Sequence, residues 1–391
     1  MLRVRAISFA VLLLSCSLAG CSSSAVGGGD AVGGGGADDD PKPDEIPDVM
    51  LASTELYRPA LAVTFHATDL AFNASVPGEL WVTLRQPPSG LPCTNDDDSG
   101  CDALPGAVAI LSDATSDAPV ASVKADFNAW HFMRRPTAIA WSATDLFATC
   151  GEARTDNLED DATPYSGPAL WSSDPQIFGV RPTGMQNGTH LDMLHATPYC
   201  MGIAFESGNA YWTFNGDAGS LDRYDFHAPH AIGGENHADG EVFRYVAGQL
   251  QRVPEVPSHL VYDAVSGLLY VADTGHARLL SVDPKAATRG DTPIKVYETL
   301  QDSGEMVGAT VVDLSPPGLL QQPSGLALSD DTLYVADAAT SYIYVLDTSG
   351  KLQKKLNTQL PAGTLGGIVV GPDAKLYFAD LLTGAVRRAE L

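Results

Sequence analysis

Over residues 322–347 the chain alternates short apolar runs with tight polar turns. The runs lie at 326–328, 333–336 and 343–346, the middle one ends on Asp337, and polar residues separate them. Runs of three to four β-prone residues, too short for helices, predict an antiparallel meander. The same pattern recurs. Pro257-Ser-His-Leu-Val-Tyr leads through a turn into Leu269-Tyr-Val-Ala-Asp273, and Gly366-Gly-Ile-Val-Val leads into Leu376-Tyr-Phe-Ala-Asp380. Weaker copies precede Leu80-Trp-Val-Thr, Leu146-Phe-Ala-Thr and Ala210-Tyr-Trp-Thr.

Asp69, Ala138, Gly202, His259, Gly325 and Gly367 take equivalent places in these six copies, at spacings of 69, 64, 57, 66 and 42 residues. The shortest spacing sets a unit of about 40 residues, and a four-stranded unit of that size is a propeller blade. The expected fold is all-β: a six-bladed β-propeller over residues 51–391. Propellers escape the usual limit on core size, because each blade buries its faces against its neighbours.

The stretch Tyr270-Val-Ala-Asp273-Thr-Gly-His-Ala-Arg278 resembles the NHL repeat. The resemblance is clear over 257–391 and degenerate over 60–250, where Leu84, Cys150 and Phe214 are read as standing in place of Asp273. It implies an NHL-like propeller. That family includes peptidyl-hydroxyglycine amidating lyases, whose zinc is held by histidines near the central channel. Here only His259 lies at such a position in the recognisable repeat, with Asp69 in the matching place of the opposite blade. Calcium-dependent lactonase-like propellers are a further enzymatic relative, but their ligand pattern is not found.

The N-terminus adds a destination. Arg3 and Arg5 precede an apolar run over 7–18 that is too short to span a bilayer. The run ends Leu18-Ala19-Gly20-Cys21, which resembles the bacterial lipobox. The resemblance implies that residues 1–20 are a signal peptide, that Cys21 is acylated, and, with Ser22 following, that the chain sits in the outer membrane of the cell envelope. Residues 21–50 carry glycine, aspartate and proline runs with almost nothing to bury, and read as a flexible tether. Without residues 1–20 the formal charge moves from −25 to −27. So acidic a body repels nucleic acid and anionic headgroups, so the lipid anchor is the expected link to the membrane.

Four further cysteines remain, and an even number in an exported chain argues for disulfides. Cys93 and Cys101 close a small acidic loop, which leaves Cys150 with Cys200. In a propeller those two positions lie on one face of adjacent blades.

Candidate chemistry is sparse. The run Asp96, Asp97, Asp98 lacks the alternation of a calcium loop, and no hydrolase elbow, zincin, Walker or dinucleotide motif occurs. Asp273, Asp337 and Asp380 recur at one blade position, which argues for a structural hydrogen bond across the turn. The first-strand starts are expected to ring the channel mouth with Thr68, Asp69, Thr137, Ser258, His259 and Ser324. Asp69 and His259 face each other there, too far apart to touch, with a ligand, water or metal between them. His66, His131, His195, His259 and His276 fall on that face by topology, and His195, His259 and His276 are the candidate ligands of a divalent metal, zinc or calcium. His227, His230 and His237 belong to a third-to-fourth strand connection and should face the other way, outside any site built on the first group.

Two classes of function follow. The favoured one is a lipid-anchored binding or scaffold module for a protein, glycan or small ligand. The other is a metal-dependent propeller enzyme, lyase or hydrolase. One structural expectation completes the reading: the last blade supplies only three strands, so 61–65 should pair beside its outer edge and close the ring.

Overall fold

Each repeat folds as an antiparallel sheet, and six such sheets form a β-propeller, with a short α-helical turn, Ala129–Phe132, between the first two blades. The computed structural model describes residues 46–59, 65–86, 106–143, 145–155, 165–180 and 187–391. The first strands are His66–Phe72, Pro136–Trp141, Cys200–Ser207, Leu260–Asp263, Pro323–Ser329 and Leu365–Val370, and they surround the central channel. Glycine at the equivalent positions of blades five and six lets these strands approach closely. A Cβ on Gly325 would lie 2.1 Å from the Gly366 carbonyl oxygen, and one on Gly367 would lie 2.7 Å from the Asp69 Cα.

The blades are held apart and together by the side chains between them. Trp81, Phe147, Trp171 and Phe178 are fully buried between blades one and two, with Trp81 edge-on to Trp141 at 5.1 Å. Each such side chain contributes about 1.5–3 kcal/mol of burial. The recurring aspartates act in the turns as expected. Asp337 accepts from the Gln321 and Thr340 amides at 2.6 and 3.0 Å, and Asp380 accepts from the Thr383 amide at 2.9 Å. The strand register corrects two of their counterparts. Gly151 and Asn215, not Cys150 and Phe214, stand where Asp337 and Asp380 stand. Asn215 keeps the role, accepting from the Ala218 amide at 2.9 Å.

Ring closure also differs from expectation. The strand beside Ala385–Ala389 is Ser53–Tyr57, and residues 60–64 lie outside the described residues. Leu56 and Tyr57 pack on the core shared by blades one and six, which favours this segment for the edge. The body also begins before residue 51. Asp48–Met50 runs parallel to Leu352–Asn357 on blade five, with Ile46 and Leu51 buried on either side of it. The N-terminal segment therefore closes the outer edges of two blades.

Blade three is the exception in size. Residues 284–309, inserted before the outer strand of blade four, cross to it and add Asp302–Val307 and Thr288–Arg289 beyond Glu241–Tyr245. The disulfide Cys150–Cys200 ties blade two to blade three, with the two Cα atoms 5.7 Å apart. Cys93 and Cys101 lie outside the described residues, as does Cys21.

Candidate functional site

The channel holds a cavity of about 320 Å³, and two polar side chains meet in its lining. Asp69 and His259 are the large polar residues at the equivalent inner positions, and they reach across to 3.5 Å between Asp69 Oδ1 and His259 Nδ1. They meet directly, contrary to the separation expected for opposite blades, because both side chains extend into the space that glycine leaves free. His259 Nε2 donates to the Thr137 carbonyl at 3.1 Å, and Asp69 Oδ2 accepts from the Ile139 amide at 2.9 Å. Burial pushes the Asp69 carboxyl up, against the pull of His259.

The hydroxyls of the expected ring are buried and bonded between blades. Thr68 donates to the Pro136 carbonyl at 3.0 Å, Thr137 to that of Cys200 at 2.7 Å, and Ser324 to that of Leu365 at 2.8 Å. Ser258 bonds the Thr274 hydroxyl at 2.6 Å, which in turn donates to the Pro323 carbonyl. Beside this ring lies an ion network. Glu152, 1% exposed, accepts from Arg85 at 3.0 Å and Arg252 at 2.7 Å, while Arg85 and Arg135 bridge to Glu255 at 2.7 and 2.6 Å. Burial alone would raise the Glu152 carboxyl, but Arg85, Arg135 and Arg252 outweigh it and hold the group low.

A larger cavity than that of the channel lies elsewhere, along the outer edge of blade two where it meets blade three. It measures about 960 Å³. Five separate stretches build it: the helical turn before blade two (Asn128, His131), Tyr165, the outer strand His190–Met193 with His195 beyond it, the 227–240 connection, and the inserted segment carrying Tyr297 and Glu298. The 227–240 connection folds back along the outer strand, its His230 and Gly233 amides donating to the Leu191 and His190 carbonyls at 2.9 Å each. This is why His237 shares a cavity with His131 and His195, although topology alone places them on opposite faces. The outer strand is four residues long, about 13 Å, so a loop lying along it joins both faces.

Aromatic and charged groups alternate around the cavity. Tyr165 stacks on His195 at 3.7 Å and meets Tyr297 edge-on at 4.0 Å; His195 Nδ1 pairs with Glu298, whose other oxygen accepts the His195 amide at 3.2 Å. Despite burial, that pairing with His195 holds the Glu298 carboxyl low. His237 Nδ1 meets Asp192 Oδ1 at 2.7 Å. Burial would depress the His237 ring, but Asp192 keeps it above the ordinary imidazole range. His190, whose ring is 5.0 Å from that of His230, is pushed down to about 3 by burial and by the neighbouring imidazoles.

The three candidate metal ligands are not gathered. His195 lies in the cavity, His259 in the channel, and His276 pairs with Asp273 at 2.8 Å on blade four. Sequence reasoning missed His190, Asp192, Tyr165, Tyr297 and Glu298. The usable signal was Asp192: a carboxylate inside a short strand, between the apolar Leu191 and Met193.

The fold is similar to that of several solved structures. An auxiliary nutrient binding protein from Bacteroides thetaiotaomicron matches at 10% identity and a TM-score of 0.52, over 87% of this chain and 75% of that chain. A protein of unknown function from the same organism matches at 11% identity and a TM-score of 0.51, over 88% and 75%. Regucalcin from Agrobacterium tumefaciens, a calcium-binding protein, matches at 12% identity and a TM-score of 0.50, over 88% and 95%. No family model matches the chain, and no curated protein matches it.

Proposed function

We propose that this protein is an extracytoplasmic binding propeller, anchored in the outer membrane through acylated Cys21, that takes a small neutral glycan in the cavity between blades two and three. The observation that carries the reading is the cavity itself. Concave sites with aromatic walls and a few convergent polar groups are where small ligands bind, and here they stand where the 227–240 connection and the 284–309 insertion meet blade two, whereas the channel cavity is smaller, about 320 Å³. Tyr297, 54% exposed, offers a flat apolar ring to a sugar face, and Asn128, Asn236 and Glu298 offer donors and acceptors to its hydroxyls. The acidic body disfavours anionic ligands. Binding is also what the descriptions of two fold neighbours name, nutrients in one and calcium in the other.

The test is thermal unfolding of the mature chain against a panel of neutral mono- and oligosaccharides. At least one should raise Tm, with the rise lost in Tyr297→Ala and kept in His259→Ala. A rise that survives Tyr297→Ala and disappears in His259→Ala would place binding in the channel and end this reading. For the anchor, Cys21→Ser should move the protein from the membrane fraction to the soluble one, or leave an unprocessed precursor. Unchanged processing and unchanged membrane association would refute it.

A further inference from the structure

Asp192, His230 and His237 place one carboxylate oxygen and one nitrogen from each ring within 4.8 Å of one another, the one group of this kind among the described residues. We propose that these three residues bind a divalent transition ion, zinc by preference, in the wall of the cavity. The inference is independent of the glycan reading, because it rests on three side chains that this reading does not use.

Asp192 shows what is missing. Its side chain is fully buried, and Oδ1 takes both the His237 ring at 2.7 Å and the Met193 amide at 2.7 Å. Oδ2 is buried with no hydrogen-bond partner among the described residues. A buried carboxylate with half its acceptor capacity unmet is costly unless a cation completes it. His230 is set up in the same sense. Its Nδ1 donates to the Ala231 carbonyl at 2.7 Å, which fixes the tautomer and leaves the lone pair on Nε2. That Nε2 is buried and likewise has no partner among the described residues. The supporting backbone is specific too. The His230 amide is bonded to the outer strand at Leu191, next to Asp192, and a Cβ on Gly234 would lie 2.9 Å from His230 Nδ1.

Two imidazole nitrogens and one carboxylate oxygen suit zinc and its transition-metal neighbours, whereas calcium and magnesium prefer oxygen alone. Around a tetrahedral zinc, ligand atoms stand roughly 3.3 Å apart, given bonds near 2.0–2.1 Å. Three protein ligands leave the fourth position for water or a ligand atom, and His237 itself lines the cavity into which that position would open.

The experiment strips the mature full-length protein with chelator, reloads it with zinc alone, and reads stoichiometry by elemental analysis and ligand type by X-ray absorption. Wild type should hold one zinc per chain, with two imidazoles and oxygen in its shell. His230→Gln and Asp192→Asn should each weaken zinc by about 100-fold or more while keeping wild-type near-ultraviolet circular dichroism. His259→Ala and His276→Ala should bind as wild type does. No stoichiometric zinc in wild type overturns the proposal, as does undiminished binding in His230→Gln or Asp192→Asn, or loss in His259→Ala. If a cavity variant misfolds, the absorption spectrum of wild type still decides: a shell without two imidazoles overturns the site.

Discussion

Among its described residues blade two buries two carboxylates, Glu152 and Asp192, and their surroundings could hardly differ more. Glu152 meets Arg85, Arg135 and Arg252 and also accepts the Glu255 amide at 3.1 Å. Asp192 meets one imidazole and one amide, through a single oxygen. Both are fully buried, so burial alone distinguishes nothing. What separates them is satisfaction: a buried charge with every acceptor site filled holds a fold together, while one with a site unfilled is waiting for a partner. Asp69 stands between the two, with the Ile139 amide on Oδ2 and His259 Nδ1 3.5 Å from Oδ1.

The comparison presupposes a closed ring, and opening it should have the largest effect. Deleting residues 46–57 removes the edge strands of blades five and six and should abolish cooperative unfolding. Deleting 22–45 should leave Tm unchanged. Equal Tm values for the two truncations would contradict the closure described above.

Removing Glu152 comes next. Glu152→Ala removes a buried carboxylate shared by three guanidiniums, of which Arg85 and Arg135 keep Glu255, and should destabilise by about 3–5 kcal/mol in urea titration, with zinc stoichiometry intact. The network also has a pH signature. The folded pKa of Glu152 lies below its unfolded value of about 4.3, so its contribution is complete above that value and is lost as pH falls through the folded pKa. Stability should therefore drop in acid below about pH 4, and less steeply in Glu152→Gln. A Gln variant with the wild-type profile would remove Glu152 from its structural role.

Replacing both Cys150 and Cys200 by serine should destabilise by up to about 4 kcal/mol, the loop-entropy value for a closed loop of 50 residues. Because the bond ties the two blades that form the cavity, this variant should also weaken saccharide binding. Undiminished binding would show that the cavity does not depend on this junction. The smallest effect on the metal-free fold is expected at the other carboxylate. Asp192→Asn keeps the oxygen that faces His237 and changes only the oxygen that has no hydrogen-bond partner among the described residues, so metal-free stability should change by less than about 1 kcal/mol, or rise. A loss as large as that of Glu152→Ala would erase the distinction between the two carboxylates.

The strands were readable because period-2 alternation and the Leu-Tyr-Val-Ala-Asp signature act locally, within one blade. Cys150 and Cys200 followed once the blades were ordered, because propeller topology fixes which strand ends are neighbours. The cavity was not readable from the same information. Its position depends on the 227–240 connection lying along the outer strand and on 284–309 crossing from blade four to blade three. Nothing in a hydrophobic period states where a long insertion comes to rest. The closing strand was misplaced for a related reason: 53–57 and 61–65 are both β-prone, and only the packing of Leu56 and Tyr57 separates them.

The central claim is that the unfilled carboxylate marks the binding region and the filled one does not. The most direct measurement is the zinc-induced change in Tm of demetallated wild type and Asp192→Asn. Zinc at one hundred times its dissociation constant should stabilise wild type by about 2.7 kcal/mol, read as a rise in Tm, and should leave Asp192→Asn where it was. An equal rise in both proteins would contradict the account.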